Sequence, residues 1–159
     1  MQVHLNTDDN IQNRESLAQW VESELTDKLA RFRDHITRIE VHLSDVHPGH
    51  VGDNDKRCTL EARVNGRPPV AVSHDAGTVA DALRSCARAV SNHAVRKCVE
   101  QLHAAVIRGE RFSSNMESHG DIFPPIVNQL IIVGEKTGTL PKATQNVRAH
   151  LKREIERTL

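Results

Sequence analysis

The sequence predicts an α+β fold in the order β-α-β-β-β-α, a four-stranded sheet with two helices on one face, followed by an all-helical C-terminal appendix. Three observations carry this expectation. Segments in the first half alternate apolar and polar residues with period two. Two longer segments place apolar residues three and four apart. Residues 110–159 show helical spacing only. Strand, helix, three strands and helix pack as a sheet with helices segregated to one face, leaving the other face polar and wet.

Met1 to Thr7 sets Val3 and Leu5 against Gln2, His4 and Asn6, a half-buried strand. After the polar stretch Asn10 to Arg14, Leu17, Val21, Leu25 and Leu29 step by four, and Trp20 and Phe32 widen the stripe as core residues. Glu15, Glu22, Asp27 and Arg33 mark the opposite, charged face. Ile36 to Leu43 alternates with Ile39, Val41 and Leu43 inward, and HPGHVGDND reads as a loop. Lys56 to Val64 alternates with Cys58, Leu60, Ala62 and Val64 inward. Asn65-Gly66 signals a tight hairpin, because both central residues of a type I′ turn need positive φ. Val70 and Val72 share one face of a short fourth strand, after which Asp75 or Thr78 opens a long helix.

That helix changes its apolar face. Val79, Leu83, Cys86, Val90, Ala94 and Cys98 follow one stripe, and Val95, Val99, Leu102 and Val106 follow another. A helix on one sheet needs one stripe, so the second predicts packing against the remaining chain. There, RFSSNMESHG reads as a short amphipathic turn or helix and Pro124-Pro125 as a helix start, where missing N–H groups cost nothing. Ile126, Val127, Leu130, Ile131 and Val133 are apolar nearly all round and predict a deeply buried helix. GEKTG punctuates, Thr139 can cap, and Ala143, Val147, Leu151 and Ile155 stripe a last helix.

The 159-residue chain carries 38% hydrophobic and 26% charged residues, the balance of a soluble globular protein. No apolar run approaches the ~20 residues of a membrane span, and the N-terminus lacks the basic and apolar regions of a signal peptide. Cys58, Cys86 and Cys98 are too widely spaced for a disulfide framework or a CxxC site and read as buried thiols. Formal net charge is zero; residues 1–103 are net −2 and residues 104–159 net +2. Proteins that hold nucleic acid mainly by counterion release are basic overall, so any RNA contact here requires a local patch.

The stretches MQVHLNTDDNI, FRDHITRIEVHLSD and DKRCTLEARVNGRPPVAVSHDAGTVADAL resemble the ribosome hibernation promoting factor and ribosome-associated inhibitor (sigma-54 modulation) family, over residues 1–103. The likeness is to a short, single-domain branch whose third strand reads DKRC-x-LEAR. The resemblance implies binding in the decoding channel of the small ribosomal subunit, blocking messenger and transfer RNA and preserving idle ribosomes under stress. Basic members of that family carry Lys and Arg on both helices. The cations left to do this here are Lys28, Arg31 and Arg33 on the first helix and Arg84, Arg88, Arg96 and Lys97 on the second. Arg84 and Arg88, one turn apart and off the core stripe, suit phosphate contacts, which position a protein without reading sequence. The bland alternative is a solvated helix face.

Residues 104–159 resemble part of the cytoplasmic helical domain of the type II secretion and type IV pilus inner-membrane platform proteins. The carrying features are GE-x-F-S-x-x-M, FPP and VGEKTG-x-L. The family's opening helices and membrane spans are missing, which implies either a reused packing or docking appendix or a recombined remnant.

Catalytic chemistry finds little support. His47, His50, Asp53 and Asp55 share a loop, but their spacing fits no closed zinc site. GEKTG lacks the order of a phosphate-binding loop. Glu135 within it reads as a helix cap or surface group, or as a metal or partner contact. Ser73, His74 and Asp75 are strand neighbours on alternating faces and form no triad. The expectation is a non-catalytic, cytoplasmic translation modulator on the small ribosomal subunit and its rRNA, without cofactor, metal or membrane insertion. The alternative is a protein–protein interaction module related to secretion or pilus assembly, or a helical oligomerisation appendix, acting on a protein partner or a second copy through residues 104–159.

Overall fold

Alternating side chains build the sheet. In the computed structural model, which describes residues 1–11, 14–49 and 54–158, β1 (Gln2–Thr7) runs parallel to β2 (Ile36–Asp45), with Val3 opposite Ile39 and Leu5 opposite Val41. β3 (Lys56–Val64) pairs antiparallel with β2, and β4 (Val70–Ala76) antiparallel with β3, giving the order β1-β2-β3-β4. A parallel pair requires a crossover, and α1 (Arg14–Lys28) supplies it. α2 (Val79–Ile107) follows β4. Two compact units divide the chain inside α2, Met1–Ala94 and Val95–Leu159.

In the first unit the helices cover the apolar sheet face. Val21 and Leu25 of α1, Leu29 directly after it, Ile39, Val41, Cys58 and Leu60 of the sheet, and Leu83 and Cys86 of α2 are all fully buried. Ile36 is also buried although it is out of phase with Ile39. The register shift between Ile36 and Arg38 resolves this, because a β-bulge spends one extra residue and turns both isoleucines inward. Phe32 is a correction to the expected stripe: α1 stops at Lys28, and Phe32 is buried from the 3₁₀ turn Ala30–Phe32 instead. Trp20 is a second correction, being half-buried rather than core.

The β3–β4 connection is longer than the tight hairpin expected from Asn65-Gly66. The Arg67 N–H does donate to the Val64 carbonyl (3.2 Å) around a left-handed Gly66 (φ +68°). The ladder resumes only at Val70, opposite Ala62, because Pro68 and Pro69 have no N–H to donate. Thr78, not Asp75, opens α2. Its hydroxyl accepts from the Asp81 N–H (3.1 Å) and donates to the Asp81 carboxylate (2.9 Å), a reciprocal cap. Asp75 lies on β4, held by both Nε and Nη2 of Arg57 at 2.7 and 2.8 Å.

The second unit is helical: the end of α2, α3 (Phe112–Glu117), α4 (Pro125–Lys136) and α5 (Leu140–Thr158). Its core comprises Cys98, Leu102, Met116, Val127, Ile131 and Ala143, flanked by Phe112, Ile122, Phe123, Leu140 and Val147. The end of α2 therefore does pack on the rest of the chain, but through Cys98, Leu102 and Ala105; Val95, Val99 and Val106 of the expected stripe are exposed. Likewise α4 is not buried all round. Val127, Asn128, Ile131 and Gly134 face inward while Ile126 and Val133 face solvent. Leu151 of the α5 stripe is exposed, and the Ile155 side chain lies outside the described residues.

Pro124 precedes α4 and Pro125 begins it, as expected. The punctuation at GEKTG comes later than expected, since Gly134, Glu135 and Lys136 are still helical. The stop is a Schellman motif: the Thr139 N–H reaches the Gly134 carbonyl (2.8 Å), the Gly138 N–H reaches that of Glu135 (3.5 Å), and Gly138 is left-handed (φ +69°). The Thr139 hydroxyl bonds the Thr137 hydroxyl at 2.6 Å. Gly134 is where α4 and α5 touch. A β-carbon built there would lie 2.4 Å from that of Ala143. Among the described residues no helix is long and apolar enough to cross a membrane.

Candidate nucleic-acid interface

Because β1 and β4 run the same way, the chain leaves both strands toward α1 and α2 from the same end of the sheet. A cross-helix ion pair fixes their alignment: Arg84 Nε lies 2.7 Å from Glu24 Oε1. One turn further along, α1 ends at Lys28 and α2 carries Arg88. Arg31 lies in the 3₁₀ turn and Arg33 directly after it. These five cations are all exposed in the first unit. Arg96 and Lys97 are exposed as well but fall in the second unit.

The pairing of the cations separates the two faces of the first unit. On the strands, Arg38 meets Glu40 (2.7 Å), Lys56 meets Asp45, Arg57 meets Asp75 (2.7 Å) and Arg63 meets Glu61 (3.3 Å). The Lys56 partner holds the Asp45 carboxyl below the usual carboxylate range, and Arg57 does the same to Asp75. On the helical side, Lys28, Arg31, Arg33 and Arg88 make no ion pair among the described residues, and the same holds for Arg96 in the second unit. Arg84 is paired with Glu24, and Lys97 with Glu100 at 3.0 Å. Cations without a carboxylate partner among the described residues thus lie on the helical side, beside the exposed carboxylates Glu22, Asp27 and Asp34.

Trp20 and Glu24 are neighbours of Arg84 that the sequence alone does not bring together. The Arg84 guanidinium sits over the Trp20 ring, 6.0 Å from its centroid. Their spacing of four was the available signal, since residues i and i+4 share a helix face.

The other candidates are consumed by structure. Ser73 Oγ lies 3.0 Å from Thr59 Oγ1, and Asp75 belongs to Arg57. His50 and Asp53 lie outside the described residues, and His47 Nδ1 is 3.7 Å from Asp55. The three cysteines are buried and reduced. Cys86 donates its S–H to the Cys58 carbonyl at 3.2 Å. The Cys58 thiol is pushed up by its hydrogen bond to Cys86 and by burial, which leaves it unreactive.

Glu135 is a cap. Its carboxylate accepts from the Phe112 N–H (2.8 Å) and the Ser113 hydroxyl at the start of α3. Those bonds, the Ser113 one first, hold its carboxyl below the ordinary 4.5. A lowered folded value stabilises the fold above the unfolded value, and the benefit is lost as pH falls through the folded one. Acid titration of the second unit will therefore show stability declining below pH 4.5. Glu135→Gln will flatten that decline and lower neutral-pH stability by about 1 kcal/mol, the size of a helix cap. Thermal melts at several pH values measure both.

The family model for Sigma 54 modulation protein / S30EA ribosomal protein matches residues 6–108, and that for type II secretion system protein F matches residues 70–159. The chain is 26% identical over 91 residues to a type 4 fimbrial assembly protein PilC of Pseudomonas putida, covering 57% of this chain and 22% of that relative. The chain thus spans about a fifth of that protein's length. Among solved structures it is similar to the N-terminal domain of Thermus thermophilus Protein Y, with a TM-score of 0.48 and 17% identity, over 60% of this chain and 98% of that one.

Proposed function

Since this chain belongs to the sigma 54 modulation protein / S30EA ribosomal protein family through residues 6–108 and to the type II secretion system protein F family through residues 70–159, we propose that it is a non-catalytic, cytoplasmic ribosome-associated modulator of translation that binds rRNA of the small subunit. The observation that carries the reading is the asymmetry of charge pairing. The strand cations are each matched by a carboxylate, whereas Lys28, Arg31, Arg33 and Arg88 have no ion-pair partner among the described residues and can meet an external anion. Phosphate contacts of this kind give affinity and register without sequence readout. The test is sedimentation of the full chain with purified small subunits through sucrose at two salt concentrations. Co-migration at low salt that fades at high salt is the expected result; an unbound chain at both ends the proposal.

A second reading attaches to the second unit. Val106, Ile126 and Val133 are exposed there, and this unit lies within the secretion-family match. In that reading residues 104–159 dock a protein partner or a second copy, and reversing Arg88 leaves the interaction intact. Light scattering and pull-down against a secretion or pilus motor ATPase separate the two.

A further inference from the structure

We infer that Trp20 and Glu24 are positioning residues that hold the Arg84 guanidinium as a fixed phosphate contact on the helical side of the first unit. The inference rests on the ribosomal reading only for the source of the phosphate.

Arg84 is fixed by two different groups. Glu24 Oε1 accepts from its Nε at 2.7 Å, and the Trp20 ring lies beneath it with its centroid 6.0 Å away. Glu24 is the more sheltered member of the pair, its side chain 17% exposed against 47% for Arg84, so the carboxylate lies behind the guanidinium rather than in front of it. The bond is monodentate and uses the inner nitrogen. Both Nη groups make no hydrogen bond among the described residues. Those four N–H groups form the outer fork that matches two phosphate oxygens. A flexible arginine loses side-chain freedom on binding, and one already held by a carboxylate and a ring has less to lose. Trp20 is the only tryptophan in the chain, so its emission reports on this one position.

The experiment uses the full chain with inorganic polyphosphate, with affinity by calorimetry and Trp20 emission as a second readout. Polyphosphate will change Trp20 emission in the parent, and Arg84→Ala will abolish the change and weaken binding about tenfold. Glu24→Gln and Glu24→Ala remove the same charge, but only glutamine keeps an acceptor for Nε. The alanine variant is expected to bind about two- to fivefold more weakly than the glutamine variant, and Trp20→Ala more weakly than Trp20→Phe by a similar factor, the scale of an exposed cation–π contact. Thermal melts check that each variant folds. Equal affinities within both pairs overturn the inference, as does parental emission that ignores polyphosphate. If the ratios hold while the chain fails to sediment with small subunits, the positioning stands and the ribosome is removed as its source.

Discussion

Gly134→Ala will unfold the second unit at a lower temperature while leaving the first unit intact. The new methyl would lie 2.4 Å from the Ala143 β-carbon, with the Leu140 α-carbon at 3.4 Å. Both β-carbons are fixed to helix backbone, so no rotamer change relieves the contact and α4 and α5 must separate. Alanine gains up to about 1 kcal/mol of helix propensity over glycine. Overpacking a helix contact costs about 1–3 kcal/mol and spoils the packing of Val127, Ile131 and Ala143. The clash therefore wins, and Gly134→Val, which adds two further methyls at the same point, prevents the second unit from folding. Because the only tryptophan lies in the first unit, fluorescence follows that unit while helical circular dichroism follows both. Ala143→Gly in the Gly134→Ala background should restore stability. Failure to do so would mean that the two helices do not meet at this point.

Arg31→Glu combined with Arg88→Glu will weaken small-subunit binding by at least about tenfold at low salt and flatten its salt dependence. Each phosphate neutralised contributes roughly 0.9 to the slope of log affinity against log salt, so losing two contacts removes about 1.8. The matched control reverses Arg57 and Arg63 on β3. Those two lie on the uncovered face of the sheet, away from the helices, and are paired there with Asp75 and Glu61, so their reversal is expected to leave the slope unchanged. Binding that falls equally for both pairs would show that overall charge, not the helical patch, governs attachment. Filter binding at about 50 and 200 mM salt gives the slopes directly.

The strands were legible because period-two alternation has one structural meaning, and Val3, Ile39, Leu60 and Val70 all turned out to share the covered face. The stripes of α2 and α4 were harder for a physical reason. On α2 the buried line runs through Cys98 and Ala105, and on α4 through Asn128 and Gly134. Small side chains let helices approach closely, yet they carry little hydrophobic weight, so the bulkier valines one position round the helix dominate the sequence pattern. Phe32 was misplaced because an apolar residue one turn past a helix reads as part of it, whereas a 3₁₀ turn reaches the same core by a tighter path. In the candidate site the cations could be listed from the sequence, but their pairing could not. Arg84 and Glu24 are sixty residues apart and meet only because both helices lie on the same sheet face.

α2 has one further consequence. Its two halves are gripped by different cores, with Cys86 and Val90 in one and Cys98 and Leu102 in the other. Either half alone, about 15 residues long, is marginal as an isolated helix in water. Whichever core opens first, the half it releases will fray only as far as the grip of its neighbour. Amide protection measured by hydrogen exchange will then step near Ala94 and Val95 in the middle of unbroken helix, and the backbone will keep its hydrogen bonds on one side while exchanging freely on the other.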